Sequence, residues 1–416
     1  MAQVRGHEFV IERGEGSYVW DVGGKKYFDG TASLWCVNVG HGRHEIADAA
    51  RAQMDTLATY QTFGGFANKP VLELADRLAA SAQPIVVNVL GTTINPKVFF
   101  GLGGGDAIET AAKLARRYFA ATGQPERVHI IGRTQGYHGT HGIGTSIGGI
   151  AANQVGMGPV DPAVSSVPWD SLEALEAEFE RVGPDKVAAV FAEPVIGAGG
   201  VHRVPPGYLQ GLAALCTKHG ALFIADCVIA AFGRLGTMWG VDRFDLRPDM
   251  MTFAKGVTSG YLPLGGVVIS GRIAEPFWEG DGLWFRHGQT YSGHPTCCAA
   301  ALANLDIIEN EGLLQRGREL EDEIASALSP LESADVVDQA RAGIGALGAV
   351  SFKPELLADH ADLPLRTFAA AKERGVLVRP LGDGVAISPS LVTTEKDLED
   401  ASAALTDALA AVASSL

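Results

Sequence analysis

From about residue 45 to residue 300, short apolar runs alternate with stretches whose apolar residues recur at helical spacing, which constrains the fold most. Lys97–Phe100, Val128–Ile131, Val187–Phe191, Leu222–Ala225 and Met250–Ala254 read as buried strands. Between the first two, Ile108, Ala111, Ala112, Ala115 and Phe119 form a helical stripe, with Asp106 and Glu109 as a capping-box pattern at its start. Further on, Pro205 and Pro206 precede a second stripe, Leu209, Leu212 and Cys216, which Gly220 closes. Strands that are apolar on both faces and separated by helices pair in parallel, because each crossover lays a helix on the sheet. The expectation is an α/β fold whose mostly parallel central sheet is covered by helices.

The flanks read differently. Residues 9–38 alternate polar and apolar around Gly14–Gly16 and Gly23–Gly24, a small antiparallel meander. Beyond 300, a helical stretch (296–328) gives way to two or three strands and helices, then to an Ala-rich terminal helix (401–414). The expected division is therefore 1–44 as the N-terminal part of a small domain, 45–300 as the large domain and 301–416 as the rest of a smaller α/β domain built from both termini.

Composition narrows the function classes. At 416 residues the chain has room for roughly two to three domains. Hydrophobic residues make up 47% and charged residues 19%, which excludes disorder. Lys+Arg 33 against Asp+Glu 48 gives 33 − 48 = −15, so neither nucleic acid nor an anionic membrane is expected as a partner. Cys36, Cys216, Cys227, Cys297 and Cys298 show no metal-ligand spacing, and the last two sit in an apolar helix-like run where buried thiols are expected. No metal is expected, and the compartment reads as a reducing cytoplasm. The opening MAQVRGHEF lacks a basic stretch followed by an apolar core, so no secretory signal is expected. The longest apolar stretch, Ala221–Phe232, is too short to span a bilayer and holds Asp226 in its middle.

Four features carry chemistry, and each has a plain structural reading beside it. Asp226 ends an apolar strand, where a carboxylate costs several kcal/mol unless a cation or strong donor meets it. It reads equally as a loop cap. Lys255 ends the run Met-Met-Thr-Phe-Ala and is followed by Gly256; desolvated there, its amine becomes a nucleophile, though a surface lysine with a buried stem is the commoner case. Gly101-Leu-Gly-Gly-Gly-Asp106 joins a strand to a helix, placing unpaired amides where a phosphate fits, or simply making a tight turn. It is neither a Walker A loop nor a clean dinucleotide fingerprint. Gly136-Tyr-His-Gly139 offers an aromatic platform in Tyr137, which could equally be core packing, and in His138 a satisfied structural histidine.

The combination is more specific than its parts. All four fall at strand ends, where open parallel sheets collect ligands. Phosphate-binding amides, a stacking aromatic, a carboxylate for a pyridine nitrogen and an imine-forming lysine are what pyridoxal 5′-phosphate (PLP) needs.

Over nearly its whole length the sequence resembles the class III aminotransferases of PLP fold type I. The matching segments are Leu-Trp-Cys-Val-Asn-Val-Gly (34–40), Val-Phe-Phe to Arg-Arg-Tyr (98–118), Gly-Tyr-His-Gly (136–139), Ala-Glu-Pro-Val (192–195), Ala-Asp-x-Val (225–228), Phe-Gly-Arg (232–234), Ala-Lys-Gly (254–256), His-Gly-x-Thr-Tyr-Ser-Gly-His-Pro (287–295) and Arg-Pro-Leu-Gly-Asp (379–383). The resemblance implies that Lys255 forms the Schiff base with the cofactor, that Asp226 pairs with the ring nitrogen and that Val228 and Tyr137 pack on opposite ring faces. It further implies phosphate binding by Gly104 and Gly105, support of the cofactor site by Glu193, and a reach by Thr290 to the cofactor of the other subunit of a homodimer. Arg379 resembles a mobile arginine that pairs with a substrate carboxylate and swings away for uncharged amines. Trp35, with Cys36, is similar to the pocket signature of the amine:pyruvate (ω-transaminase) subgroup, and Phe63 is an expected substrate contact.

The implied reaction is ping-pong transfer of an amino group from a primary amine or ω-amino acid donor to a keto acid acceptor, pyruvate. The alternatives are 4-aminobutyrate:2-oxoglutarate transamination, decarboxylation-dependent transamination, or a non-catalytic PLP-fold protein. Retention of both Lys255 and Asp226 argues against the last. Several positions depart from the family pattern: glycine at 103–105 where serine is usual in the phosphate turn, Cys227 for glutamate, Ala231 for glycine and Leu235 for threonine. Gly64 and Gly65 stand where bulkier residues are frequent, which suggests tolerance of bulky amines or ketones.

Overall fold

The computed structural model of the protein describes residues 5–6, 8–86, 94–279 and 282–416. It divides into two compact units, Glu45–Leu314 and a unit formed by Met1–His44 with Gln315–Leu416.

In the larger unit seven strands form one sheet. They are β1 (Lys97–Gly101), β2 (His129–Arg133), β3 (Val164–Val167), β4 (Val187–Ala192), β5 (Leu222–Asp226), β6 (Met250–Phe253) and β7 (Gly265–Ile269). Their spatial order is β1-β7-β6-β5-β4-β2-β3. The pairs β2–β3, β2–β4, β4–β5 and β5–β6 are parallel, and β7 runs against both of its neighbours. The sheet is mostly parallel, as the alternation of strands and helices predicts.

Two strands escape the sequence pattern. β3 is short and half polar, and β7 opens on Gly265-Gly266. Those glycines are required by close approach rather than by flexibility. A Cβ at 265 would lie 2.7 Å from the Gly103 backbone, and one at 266 would lie 2.4 Å from the Phe99 carbonyl oxygen. The turn after β1 is thereby pressed against β7.

Helix Gly104–Ala121 follows that turn and buries Ile108, Ala111, Ala112, Ala115 and Phe119, the whole predicted stripe. Full burial of Ile108 or Phe119 contributes on the order of 1.5–3 kcal/mol. The expected capping box is absent, because the N-cap is Gly103 and supplies no side chain. Asp106 instead reaches back, its Oδ2 accepting from the Leu102 amide at 2.9 Å. Glu109 caps a different helix, Gly142–Ile147, accepting from the amides of Ile143 (2.7 Å) and Gly144 (3.0 Å). Helix Tyr208–His219 ends at Gly220 in the left-handed region (φ 67°), as its closing glycine predicts. The helical run 296–328 is two helices, Pro295–Asn310 and Leu313–Leu328, broken at Gly312 (φ 66°), and Cys297 and Cys298 are buried in the first.

In the smaller unit Ile11–Glu15, Tyr18–Asp21 and Lys26–Asp29 form the antiparallel meander, with Val376–Leu377 added in parallel to its last strand. The meander stops at Asp29 rather than 38, because the next segment turns sharply through Ala32, Ser33 and Trp35, all at positive φ. A second antiparallel sheet orders Val337–Arg341, Gly348–Phe352, Gly384–Ile387 and Arg379–Pro380. Helix Glu395–Ala413 closes the chain, started by a Thr394–Asp397 capping box. No described helix is long and apolar enough to cross a membrane.

Candidate active site

Six strands of the larger sheet point the same way, and the candidate residues sit at their carboxyl ends. β1 feeds the glycine turn, β2 leads to Tyr137 and His138, β4 to Glu193 and β6 to Lys255, while Asp226 is the last residue of β5. Gly104, Gly105, Tyr137, Glu193, Asp226, Val228 and Lys255 line one cavity of about 160 Å³. Lys255 is held there by a backbone at φ 44°, a left-handed conformation uncommon outside glycine.

Asp226 is 4% exposed and fully engaged. Oδ2 meets His138 Nδ1 at 2.7 Å, and Oδ1 accepts from the Thr252 hydroxyl at 3.0 Å and the Val228 amide at 3.1 Å. The carboxylate is thus oriented by residues from β6 and from the turn after β2, and the burial penalty is offset by donors. His138 itself is buried against the edge of Phe191, and its Nε2 has no hydrogen-bond partner among the described residues. Glu193 accepts from the amides of Tyr137 and Gly197, both at 3.0 Å, and so fixes the turn that carries Tyr137. Burial pushes its carboxyl above the ordinary range; Asp226 adds to this, while His138 and the two amides oppose it. Beneath it, the buried Arg133 donates to the Glu193 carbonyl at 2.6 Å.

Four expected residues are not in this cavity. Thr290 is exposed. Phe63, half exposed, lines a separate cavity of about 810 Å³ with Gly64, Val71, Phe99 and His287. Trp35 and Arg379 belong to the smaller unit. Trp35 is buried with its indole Nε1 unpartnered among the described residues, and Arg379 is exposed on a two-residue strand. The contacts of two residues with Asp226 carry no signal in the sequence. Thr252 is one more member of an apolar run. His138 stands out as a histidine between glycines, but its partner does not, since Asp226 lies 88 residues away.

The sequence model of the aminotransferase class-III family matches residues 1–409. The chain belongs to the class III aminotransferases. It is 36% identical to a putrescine–pyruvate aminotransferase of Pseudomonas aeruginosa and 35% identical to a diaminobutyrate–2-oxoglutarate transaminase of Halomonas elongata, each alignment covering 94% of this chain and 88% of the relative. Among solved structures it superposes with a TM-score of 0.92 on a PLP-bound amine transaminase from an uncultivated Pseudomonas species, at 37% identity over 99% of this chain and 96% of that one. This class III aminotransferase is therefore a PLP-dependent transaminase with the type I fold of PLP enzymes.

The cavity fits that cofactor. A Cβ at Gly104 would lie 3.0 Å from a Val228 methyl, so glycine leaves the helix N-terminus open beneath Val228 without displacing that side chain. The donor set is also right: unpaired helix amides for a phosphate, a buried carboxylate for a ring nitrogen and an amine for a carbonyl.

Proposed function

We propose that this aminotransferase moves an amino group from a primary amine or ω-amino acid to pyruvate, with Lys255 as its catalytic residue. The observation that carries the reading is Lys255 lining the same cavity as the oriented Asp226 and the glycine turn. PLP, once bound, supplies an electrophilic carbonyl carbon and a ring that takes up electrons. Gly104 and Gly105 hold its phosphate with their amides, where the helix dipole favours an anion. Val228 and Tyr137 flank the ring. The Asp226 carboxylate, braced by His138 and Thr252, stabilises a proton on the ring nitrogen. Lys255 Nζ takes the proton from the substrate's α-carbon and returns it one step later. Glu193 keeps Tyr137 in place from behind.

Arg379, exposed and without an ion-pair partner among the described residues, is proposed to take a substrate carboxylate, with Trp35 and Phe63 completing substrate selection. A homodimer is proposed as the working form, with Thr290 reaching the partner's cofactor. Supporting it, Tyr60, Phe63, Phe66, Trp278, Trp284 and Tyr291 are each at least 46% exposed in the larger unit, aromatic surface of the kind a second subunit covers. Five free cysteines accord with a reducing cytoplasm.

The similarity to the diaminobutyrate–2-oxoglutarate enzyme favours a second reading, with 2-oxoglutarate as acceptor. One spectroscopic titration separates them. The cofactor's visible band should bleach when a simple chiral amine is added and return when pyruvate follows. Return only with 2-oxoglutarate would replace the first reading by the second. A band that never bleaches would send both aside in favour of amino-acid donors or a decarboxylating reaction.

A further inference from the structure

The glycine turn that receives the cofactor phosphate carries no side-chain donor, since 103, 104 and 105 are all glycine. The space over it is nonetheless occupied. A Cβ built on Gly105 would meet the ring of His141, with Cε1 and Nδ1 at 3.1 Å and Nε2 at 3.4 Å. The imidazole edge bearing both nitrogens therefore rests on a residue that lines the Lys255 cavity. Gly139 makes the approach possible: it sits at φ 86°, and a Cβ there would come 3.1 Å from the Gly105 Cα. The two backbones touch glycine to glycine, which delivers His141 to the start of helix Gly104–Ala121.

His141 is not committed to its own helix. It is the N-cap of helix Gly142–Ile147 but makes no side-chain cap bond. Its side chain is 54% exposed, and its ion-pair contact with Asp106 is a long one, Nδ1 to Oδ1 at 3.7 Å. That contact has a chemical use. Asp106 places a carboxylate in the first turn of the phosphate-binding helix, where it would repel a phosphate dianion. As the imidazolium, with both ring nitrogens protonated, His141 answers the Asp106 charge from Nδ1 and donates from Nε2.

We propose that His141 is the side chain that binds the cofactor phosphate, donating from Nε2 across the face of Gly105 while Asp106 holds Nδ1. The inference rests on the assignment of the phosphate to the Gly104 and Gly105 amides. It makes the all-glycine turn a relocated donor set rather than a weakened one: the hydroxyl is gone from the turn, and the room it leaves is filled by an imidazole from the loop after β2.

The test compares two ligands on protein stripped of cofactor: PLP, and pyridoxal, which has the same ring and aldehyde without the phosphate. Affinities are read from quenching of protein fluorescence for wild type, His141→Ala and His141→Lys. Loss of one charge-assisted hydrogen bond predicts an about tenfold weaker Kd for PLP in His141→Ala. Pyridoxal binding should be unchanged, and His141→Lys should stay within about threefold of wild type for PLP. Unchanged PLP affinity in His141→Ala overturns the proposal. So does an equal loss for both ligands, which would mean a structural effect on the ring site. Wild-type protein that holds pyridoxal as tightly as PLP would overturn the phosphate position itself, and this inference with it.

Discussion

Each unit of the chain buries one aspartate against one histidine, and the two constellations are nearly the same chemically. In the larger unit Asp226 takes His138 at 2.7 Å, a threonine hydroxyl at 3.0 Å and a backbone amide at 3.1 Å. In the smaller unit Asp29 takes His41 at 2.8 Å, the Thr31 hydroxyl at 2.8 Å, the Thr31 amide at 3.2 Å and the Ser33 amide at 2.7 Å. Both carboxylates are under 5% exposed. Of the two, it is Asp226 that borders a cavity with a lysine in it. Asp29 instead spends its acceptors on a turn whose Ala32, Ser33 and Trp35 all have positive φ, each costing on the order of 1–3 kcal/mol. A buried Asp–His pair is thus no mark of catalysis by itself. What distinguishes the two is whether the carboxylate orients a group facing open space or holds backbone that would otherwise relax.

The strongest way to break this contrast is at the lysine. Lys255→Ala should abolish transamination, by about 10⁴-fold or more, because it removes both the covalent attachment and the proton transfer proposed for Lys255. The apparent urea midpoint should move little, since a half-buried side chain leaves and alanine tolerates the same backbone no worse. Residual turnover within about 100-fold of wild type would mean that another group moves the proton.

The two aspartates come next, as a crossed pair. Asp226→Asn keeps the shape but removes the charge proposed to hold a proton on the ring nitrogen, and kcat should fall about 10²–10³-fold. Asp29→Asn cannot accept from Thr31, Ser33 and His41 together. It should lower stability by roughly 2–3 kcal/mol while kcat stays within a few-fold. Stopped-flow half-reactions and urea midpoints on both variants decide it. If Asp29→Asn cuts kcat as deeply as Asp226→Asn, the division into a chemical and a structural pair is wrong.

How far the sequence carries this contrast depends on whether a residue contradicts its own segment. Asp226 and Lys255 are legible because each is a charge at the end of an apolar run, and the glycine turn because it interrupts a strand–helix junction. The parallel order of the strands follows from the alternation of elements. Contacts between distant segments are not legible in that way. His138 and His141 lie in one short stretch, and nothing local says that one turns to Asp226 and the other to Gly105. β7 is hidden because the glycines that let it press on Gly103 and Phe99 also erase its strand signature. Asp29 is not singled out within the meander expected over 9–38, since the strain it holds exists only in the folded backbone.

The smallest expected effect is on the pH dependence of stability, where the two regions should differ in sign. Burial pushes the Asp29 carboxyl up, but hydrogen bonds from His41, Thr31 and Ser33 outweigh it and hold the group below its ordinary value. The unfolded chain then binds the proton more readily. The stabilisation from Asp29 is complete above the unfolded value of about 3.9 and is lost as pH falls through the folded one. Glu193 behaves oppositely. Burial, helped by Asp226, raises its folded value, so its contribution is fullest below about 4.3 and is lost as pH rises through the folded value. Urea midpoints taken from about pH 2.5 to about pH 8 should therefore fall less steeply on the acid side for Asp29→Asn than for wild type. For Glu193→Gln the decline on the rising side above about pH 4.3 should flatten instead. The amide introduced by Glu193→Gln would still leave one of the Tyr137 and Gly197 N–H groups facing a donor, so the whole curve of that variant should sit lower by roughly 1 kcal/mol, and the slope, not the height, carries the comparison. If both variants flatten the same limb, the cavity carboxylates are balanced like those of the structural turn, and Glu193 stays ionised beside Asp226.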